Sequence, residues 1–206
     1  GLGMGHYLGS RLPGKSFAIV DARDAIGGTW DLFRYPGIRS DSDLHTFGYE
    51  FKPWVHDKAI ADGGDILAYL RQTAAENGID RKIRYQRKVV SAAWSSEDAR
   101  WTVQVQHTDT GETHTMVCKW LFSAAGYYRY DQGFTPRFDG IENFQGQVIH
   151  PQHWPENLNY RGKRVVIIGS GGISHWVGSA EMGRVNEVFD RRVLESLREP
   201  LETGTI

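Results

Sequence analysis

The sequence contains a single cysteine, Cys118, among 206 residues, so an internal disulfide framework is impossible and a reducing compartment such as the cytoplasm is expected. It has no excess of charge, since 24 Lys and Arg against 25 Asp and Glu give a formal net charge of -1. Well-mixed charges argue against nucleic-acid binding and against a polybasic membrane anchor. No apolar run approaches the roughly 18 residues of a membrane span. These absences favour a cytoplasmic protein without nucleic-acid or membrane partners.

Glycine and aromatic residues are abundant instead, with 24 Gly, 7 Trp and 9 Tyr. The most informative glycines follow the apolar run at 164–168. This pattern predicts a buried strand that runs into the phosphate-binding turn of a βαβ dinucleotide-binding unit. The candidate phosphate-binding residues of this turn are Gly169, Ser170, Gly171, Gly172 and Ser174.

Residues 186–192 are the candidate for the next strand of this unit. Such a strand is expected to end in an arginine that binds the 2′-phosphate of NADPH, and Arg191 is in the right place. The intervening helix is short and broken by glycines, so a solvated helix face is the competing interpretation for Arg191, and slightly the favoured one.

The N-terminal residues predict a second nucleotide-binding unit. The first glycines do not complete a fingerprint, because His6 stands where a small residue is needed and no strand precedes them. Residues 16–21 instead predict a strand that ends in Asp21, an acid 20 residues after Gly1. That spacing is typical of the acid that binds a ribose diol. Residues 2–11 are then the first helix, and the chain is expected to begin inside a fold whose first strand is missing.

The segment between these two units predicts a helix and a small antiparallel sheet. Residues 65–78 have helical apolar spacing, with Asp65 as a cap and Gly78 as a stop. Three strands are predicted over 88–94, 100–107 and 113–122, joined in part by a hairpin turn at 109–111. Trp94 and Trp101 are expected in the core of this insertion, and residues 121–126 are expected to form a strand that returns to the nucleotide.

Two blocks of aromatic and glycine residues carry a family resemblance: the first motif at residues 27–41 and the second motif at residues 144–155. Residues 27–41 read Gly-Gly-Thr-Trp-Asp-Leu-Phe-Arg-Tyr-Pro-Gly-Ile-Arg-Ser-Asp, a loop that Gly-Gly and Pro-Gly punctuate. The second block has fixed residues at Phe144, Gly146, His150, Trp154 and Pro155. Together they resemble the two fingerprints of Baeyer–Villiger monooxygenases, which are class B flavoprotein monooxygenases. The residue sequences of both blocks are most similar to those of the mycobacterial ethionamide-activating subgroup. The resemblance covers residues 1–174.

The resemblance implies an α/β fold. Residues 1–142 would be a Rossmann-like FAD-binding domain with the antiparallel β insertion at about 83–122. Residues 143–206 would hold the linker motif and the start of a second Rossmann-like domain that binds NADPH. In such enzymes NADPH reduces FAD, and the reduced flavin reacts with O2 to give a C4a-peroxyflavin. This species inserts one oxygen atom into a ketone, giving an ester or lactone, or oxidises a thioether.

The resemblance also assigns roles to residues of the FAD domain. Gly1 would bind the FAD pyrophosphate at a helix N-terminus, Asp21 the adenosine ribose, and the backbone of Val89 the adenine side. Four consecutive residues would line the flavin: Thr29, Trp30, Asp31 and Leu32.

Arg39 and Ser40 would lie near the nicotinamide cofactor, beside Asp41. Asp41 is the candidate catalytic residue, because in the family this Asp orients an arginine that stabilises the anionic peroxide. For His150, a role in the link between the two nucleotide domains is favoured over direct proton transfer.

The resemblance is poor after residue 174, and family members are more than twice as long. The active-site arginine and the substrate region have no counterpart here, so the chain is expected to be a truncated or frameshifted product. Two alternatives stay open: an N- or S-oxidising flavin-containing monooxygenase, which usually lacks the Trp-Asp and Tyr-Pro-Gly block, and a non-catalytic nucleotide-binding remnant.

Overall fold

The computed structural model describes residues 1–168, which fall into two compact units divided between Glu156 and Asn157. The phosphate-binding turn predicted at 169–174 and Arg191 lie outside the described residues. The predicted division into cofactor domains at residue 142 stays a prediction.

The first helix lies against a short parallel sheet. Helix α1 (Leu2–Arg11) confirms the predicted helix over 2–11. Strand β1 (Ile19–Val20) pairs in parallel with β2 (Ile83–Arg84), and Ile19 lies opposite Ile83. The buried Gly5 permits close packing here, since a Cβ at this position would lie 3.1 Å from Ile19 Cδ1. The strand predicted over 16–21 is shorter than expected because β2 supplies only two partner residues.

The main hydrophobic core lies beneath the longest helix. The short helices α2 (Thr29–Leu32) and α3 (Leu44–Phe47) precede α4 (Gly63–Glu76), and a 3₁₀ turn follows it at Asp80–Lys82. The buried members of this core are Leu44, Trp54, Ala61, Ile66 and Tyr69.

Helix α4 confirms the predicted helix with shifted ends. It begins two residues earlier than expected, so Asp65 lies in its first turn and Asp62 occupies the cap position, without a side-chain cap hydrogen bond. Gly78, with φ +61°, follows its C-terminus and allows the chain to reverse.

The antiparallel insertion forms as predicted, in the order β3-β4-β5. Its strands are β3 (Arg87–Ser95), β4 (Arg100–His107) and β5 (Thr113–Cys118), so the last strand ends four residues earlier than predicted. Val103 and Val105 are its buried residues. Trp94 and Trp101 contact each other across β3 and β4, with ring centroids 5.6 Å apart. Because Trp94 is 47% exposed, the expectation that both indoles form the insertion core is wrong for this residue.

Two predicted strands are not formed in the described part of the chain. Residues 121–126 and 164–168 have no strand pairing. Phe122 is 61% exposed and Ile167 is 89% exposed, so neither run is buried. An apolar run becomes a strand only where a neighbouring strand satisfies its backbone groups, and the pairings of residues 1–168 supply none for these two runs. Two 3₁₀ turns, Ile141–Asn143 and Pro151–His153, complete the described elements.

Candidate functional site

The carboxyl end of β1 places Asp21 beside the start of α1. The Asp21 amide donates to Arg84 O at 3.1 Å, and Asp21 O accepts from Arg87 N at 2.8 Å. These bonds hold Asp21 between β2 and β3. A Cβ on Gly1 would lie 3.8 Å from Ile19 Cγ2, so the start of α1 lies against β1, two residues before Asp21. Val89 lies two residues beyond Arg87 on β3 and is 41% exposed, next to an irregularity in the strand pairing.

The loop that begins at Gly27 is pressed against α4. Gly27 and Gly28 have φ values of +125° and +53°, which side chains rarely allow. A Cβ on Gly27 would lie 2.3 Å from Leu67 Cδ1. The loop then enters α2, where Trp30 packs against the main core and Leu32 is half-buried. The first motif is therefore fixed to the helix behind it by close backbone approach.

Asp31 is the buried charge of this loop, with 4% of its side chain exposed. Arg23 Nη2 lies 2.5 Å from Asp31 Oδ2, and Arg71 Nη2 lies 3.4 Å from Oδ1. Arg34 Nη2 is 3.8 Å from Oδ1. The carboxylate thus faces three guanidinium groups. That Asp31 lines a flavin stays a prediction, and its carboxylate is engaged by these arginines.

The chain turns again at Arg39–Asp41. Arg39 forms an isolated bridge with Asp62, and the Ser40 amide donates to Ala61 O at 2.9 Å. Ser40 is buried, and its hydroxyl donates to Ser42 O at 2.7 Å. Asp41 is exposed at the end of this segment. The backbone is therefore fixed while the Asp41 carboxylate stays accessible.

A tyrosine-rich segment at 127–130 covers the first motif. The Tyr128 and Phe33 ring centroids are 5.4 Å apart. A hydrogen bond with Tyr127, then burial, raises the pKa of Tyr128, and the Asp41 carboxylate adds to this shift. Tyr130 Oη would lie 3.3 Å from a Cβ on Gly28. Sequence reasoning missed these tyrosines, although their position directly after the predicted return strand was a usable signal.

The second motif reaches the same segment. The His150 ring lies against Gly133, where a Cβ would be 2.3 Å from His150 Cε1. His150 Nδ1 accepts from Gln152 N at 3.1 Å, and the buried Gln152 donates from Nε2 to Arg129 O at 2.7 Å. Sequence reasoning did not identify Gln152 or Gly133, because neither contact leaves a local pattern.

The rest of the second motif is more exposed. Phe144 is 58% exposed, and its ring folds over Gly146, where a Cβ would lie 2.4 Å from Phe144 Cζ. Trp154 is half-buried. Arg34 Nη1 lies 3.6 Å from Glu156 Oε1, so an ion pair also joins the first motif to the end of the second. The structure thus brings the first and second motifs together within one unit.

Residues 1–168 contain no group of three or more His, Cys, Asp and Glu side chains placed to hold a metal ion. In the same residues, no helix combines the length and apolar character that crossing a membrane requires.

The first unit thus combines an α/β frame, an antiparallel insertion and two adjoining glycine–aromatic motifs. A sequence profile described as "FMO-like: Flavin-binding monooxygenase-like" matches residues 47–190, well over half of the chain. The chain belongs to this flavin-binding monooxygenase-like family.

Individual relatives agree with this assignment. The chain is 54% identical over 171 residues to the FAD-containing monooxygenase EthA of Mycobacterium tuberculosis (strain ATCC 25618 / H37Rv), covering 83% of this chain and 35% of EthA. It is 53% identical to the putative FAD-containing monooxygenase MymA of the same strain, covering 83% of this chain and 34% of MymA. The chain thus spans about a third of the length of the curated relatives it matches.

Solved structures give the same fold. The open crystal structure of cyclohexanone monooxygenase superposes with a TM-score of 0.68 at 28% identity, over 84% of this chain and 33% of that one. An oxidised steroid monooxygenase bound to NADP gives a TM-score of 0.62 at 33% identity, over 76% and 29% of the two chains. The predicted fold class and the family resemblance are confirmed.

Proposed function

We propose that this chain is part of an FAD- and NADPH-dependent monooxygenase that transfers one oxygen atom of O2 to a ketone or a thioether. The observation that supports this most directly is the junction of the two motifs. The Tyr-rich segment contacts Phe33 of the first motif, and Gln152 of the second bonds to Arg129 of that segment. Two motifs far apart in sequence would then shape one site.

The residues at the β1–α1 junction fit an FAD molecule. Helix α1 is ten residues long, and its N-terminus at Gly1 lies against Ile19, two residues before Asp21. A helix N-terminus favours an anionic pyrophosphate, and a neighbouring carboxylate accepts hydrogen bonds from a ribose diol. We therefore assign Gly1, Asp21 and the backbone of Val89 to the adenosine and pyrophosphate portion of FAD.

The flavin ring is assigned to the short helix α2. Thr29, Trp30 and Leu32 would contact it with side chains, while Asp31 would contribute its backbone only, since its carboxylate meets arginines. When bound, the flavin would accept hydride from NADPH and supply the oxygen chemistry. The protein's own contribution is to fix the loop through its packing on α4 and to exclude water with aromatic side chains.

The nicotinamide side of NADPH is assigned to Arg39, Ser40 and Asp41. Ser40 is anchored through Ala61, which holds its neighbours in place. The exposed Asp41 carboxylate accepts a hydrogen bond from Ser42 Oγ at 3.2 Å and would orient a cationic group, and an arginine held there would stabilise developing negative charge. This assignment of Asp41 follows the family resemblance and its accessible position.

A ketone substrate is favoured by the similarity to cyclohexanone monooxygenase, whose name includes a ketone. Thioether oxidation is retained because sulfur oxidation uses the same oxygen donor. The Trp30-Asp31 and Tyr35-Pro36-Gly37 residues disfavour an N- or S-oxidising flavin-containing monooxygenase, which usually lacks them.

The compartment we propose is the cytoplasm. Cys118, the only cysteine of the sequence, is half-buried on β5 and has no second cysteine with which to form an internal disulfide.

The absorption spectrum of the purified chain tests this proposal. After reconstitution we expect flavin bands at roughly one FAD per chain, bleached by NADPH and restored by O2. Asp21→Asn should weaken FAD binding, whereas Asp24→Asn, an exposed acid in the same loop, should not. A colourless protein after reconstitution would overturn the proposal and support the non-catalytic remnant. Bands that NADPH fails to bleach would overturn the assignment of NADPH.

A further inference from the structure

Three arginines from three separate parts of the chain converge on one carboxylate. Arg23 follows β1, Arg34 follows α2, and Arg71 lies on α4. Their guanidinium groups lie 2.5, 3.8 and 3.4 Å from the carboxylate of Asp31. Only 4% of the Asp31 side chain is exposed, whereas the side chains of Arg34 and Arg71 are 61% and 55% exposed.

We propose that Asp31 is a positioning residue that holds the first motif in place through its ion pairs with these three arginines. The inference rests on the proposed function, since the motif is the segment assigned to the flavin. The family resemblance placed the Asp31 side chain at the flavin, whereas here it binds arginines behind the flavin-binding segment.

Electrostatics explains why one carboxylate has this effect. A buried charge is tolerated only where partners compensate for its lost hydration, and Asp31 has three. The guanidinium groups of Arg23 and Arg71 repel each other, and the Asp31 carboxylate between them offsets that repulsion. Arg23 also lies over the Tyr130 ring, 5.7 Å from its centroid. Without the carboxylate charge the cations would separate and move the loop with them.

The local structure of α2 makes it dependent on this cluster. The helix has four residues, and its cap residue Gly28 has no side chain with which to cap it. A single helical turn is not stable without tertiary contacts. Arg34 Nε donates to Asp31 O at 3.0 Å, so the arginines fix the backbone of α2 as well as the Asp31 side chain.

The cluster also reaches the second motif, through a weaker contact. Arg34 Nη1 lies 3.6 Å from Glu156 Oε1, and both side chains are mostly exposed. Solvent and salt screen such a pair. The main effect of Asp31 is therefore expected on the first motif, and the link through Glu156 is secondary.

A double-mutant cycle in the full chain without flavin tests the cluster. Asp31→Asn keeps the side-chain shape and removes the charge, and we expect the melting temperature to fall by about 5 °C or more. Arg71→Gln in the same chain removes one repelling cation, so the double variant should be more stable than the sum of the two losses predicts. Asp24→Asn is the matched control and should melt like the wild type. Additive losses would overturn the proposal.

The positioning role is tested by FAD binding at a temperature well below all transitions. We expect Asp31→Asn to bind FAD about tenfold more weakly while it remains folded, and Asp24→Asn to bind like the wild type. A folded Asp31→Asn chain with wild-type affinity would overturn the inference and leave the proposed function intact. A wild-type chain that binds no FAD would instead overturn the proposed function, and the role of Asp31 in flavin binding with it.

Discussion

Substitution of Gly27 by alanine should destabilise the protein more than any comparable change in the same loop. Gly27 has φ +125°, a conformation that alanine rarely adopts, and its Cβ would lie 2.3 Å from Leu67 Cδ1 and 3.0 Å from Asp31 Cβ. The backbone strain costs about 1–3 kcal/mol. Overpacking adds about 1–3 kcal/mol, toward the low end where the flexible Leu67 tip gives way. We therefore expect a loss of about 3 kcal/mol, and since about 1 kcal/mol shifts Tm by 2–4 °C at this size, a fall of about 6–12 °C.

Gly37→Ala is the matched control for this prediction. Gly37 lies in the same motif with φ +78°, and a Cβ there would meet no atom within 4 Å. Its cost is the conformational term alone, about 1–2 kcal/mol. Thermal unfolding followed by circular dichroism compares the two variants directly.

A third variant separates the steric contribution of Leu67. In a Leu67→Ala background the side-chain clash is gone, so Gly27→Ala should cost less than it does in the wild type. If Gly27→Ala were no more harmful than Gly37→Ala, or equally harmful with and without Leu67, the account of a loop pressed against α4 would be refuted.

Two further predictions concern other contacts of the first unit. Gly133→Ala should displace the His150 ring, which lies 2.3 Å from the new Cβ position, and thereby lower Tm; the same change in a His150→Ala background should be nearly harmless, and an equal loss in both would contradict the contact. A hydrogen bond from Lys52 lowers the pKa of Glu76. This pair therefore stabilises the fold at pH values above the ordinary carboxyl pKa of about 4.3, and the stabilisation is lost as the pH falls through the lowered pKa. Lys52→Gln should therefore flatten the acid limb of the Tm-against-pH curve, and an unchanged limb would rule the pair out.

Local patterns predicted much of this fold. The apolar spacing of residues 65–78 and the alternation along β4 are visible without a structure, because helix and strand periods are properties of a few neighbouring residues. The turn at Gly111, with φ +74°, follows from glycine's freedom to adopt such a conformation. The predictions were wrong at the ends of helices and strands and at apolar runs without a partner strand. Residues 121–126 had the composition of a strand, but strand formation requires a partner that composition does not supply.

The sequence by itself therefore determined the periodic elements, the glycine turns and the two motifs that mark the family. Only the tertiary structure decided which of these meet: that Arg71 lies beside the Asp31 carboxylate, that the His150 ring lies on Gly133, and that Gln152 bonds to Arg129. The physical reason is separation along the chain. A period or a turn is set by residues within a few positions of one another, whereas a contact between distant segments depends on how the whole unit folds.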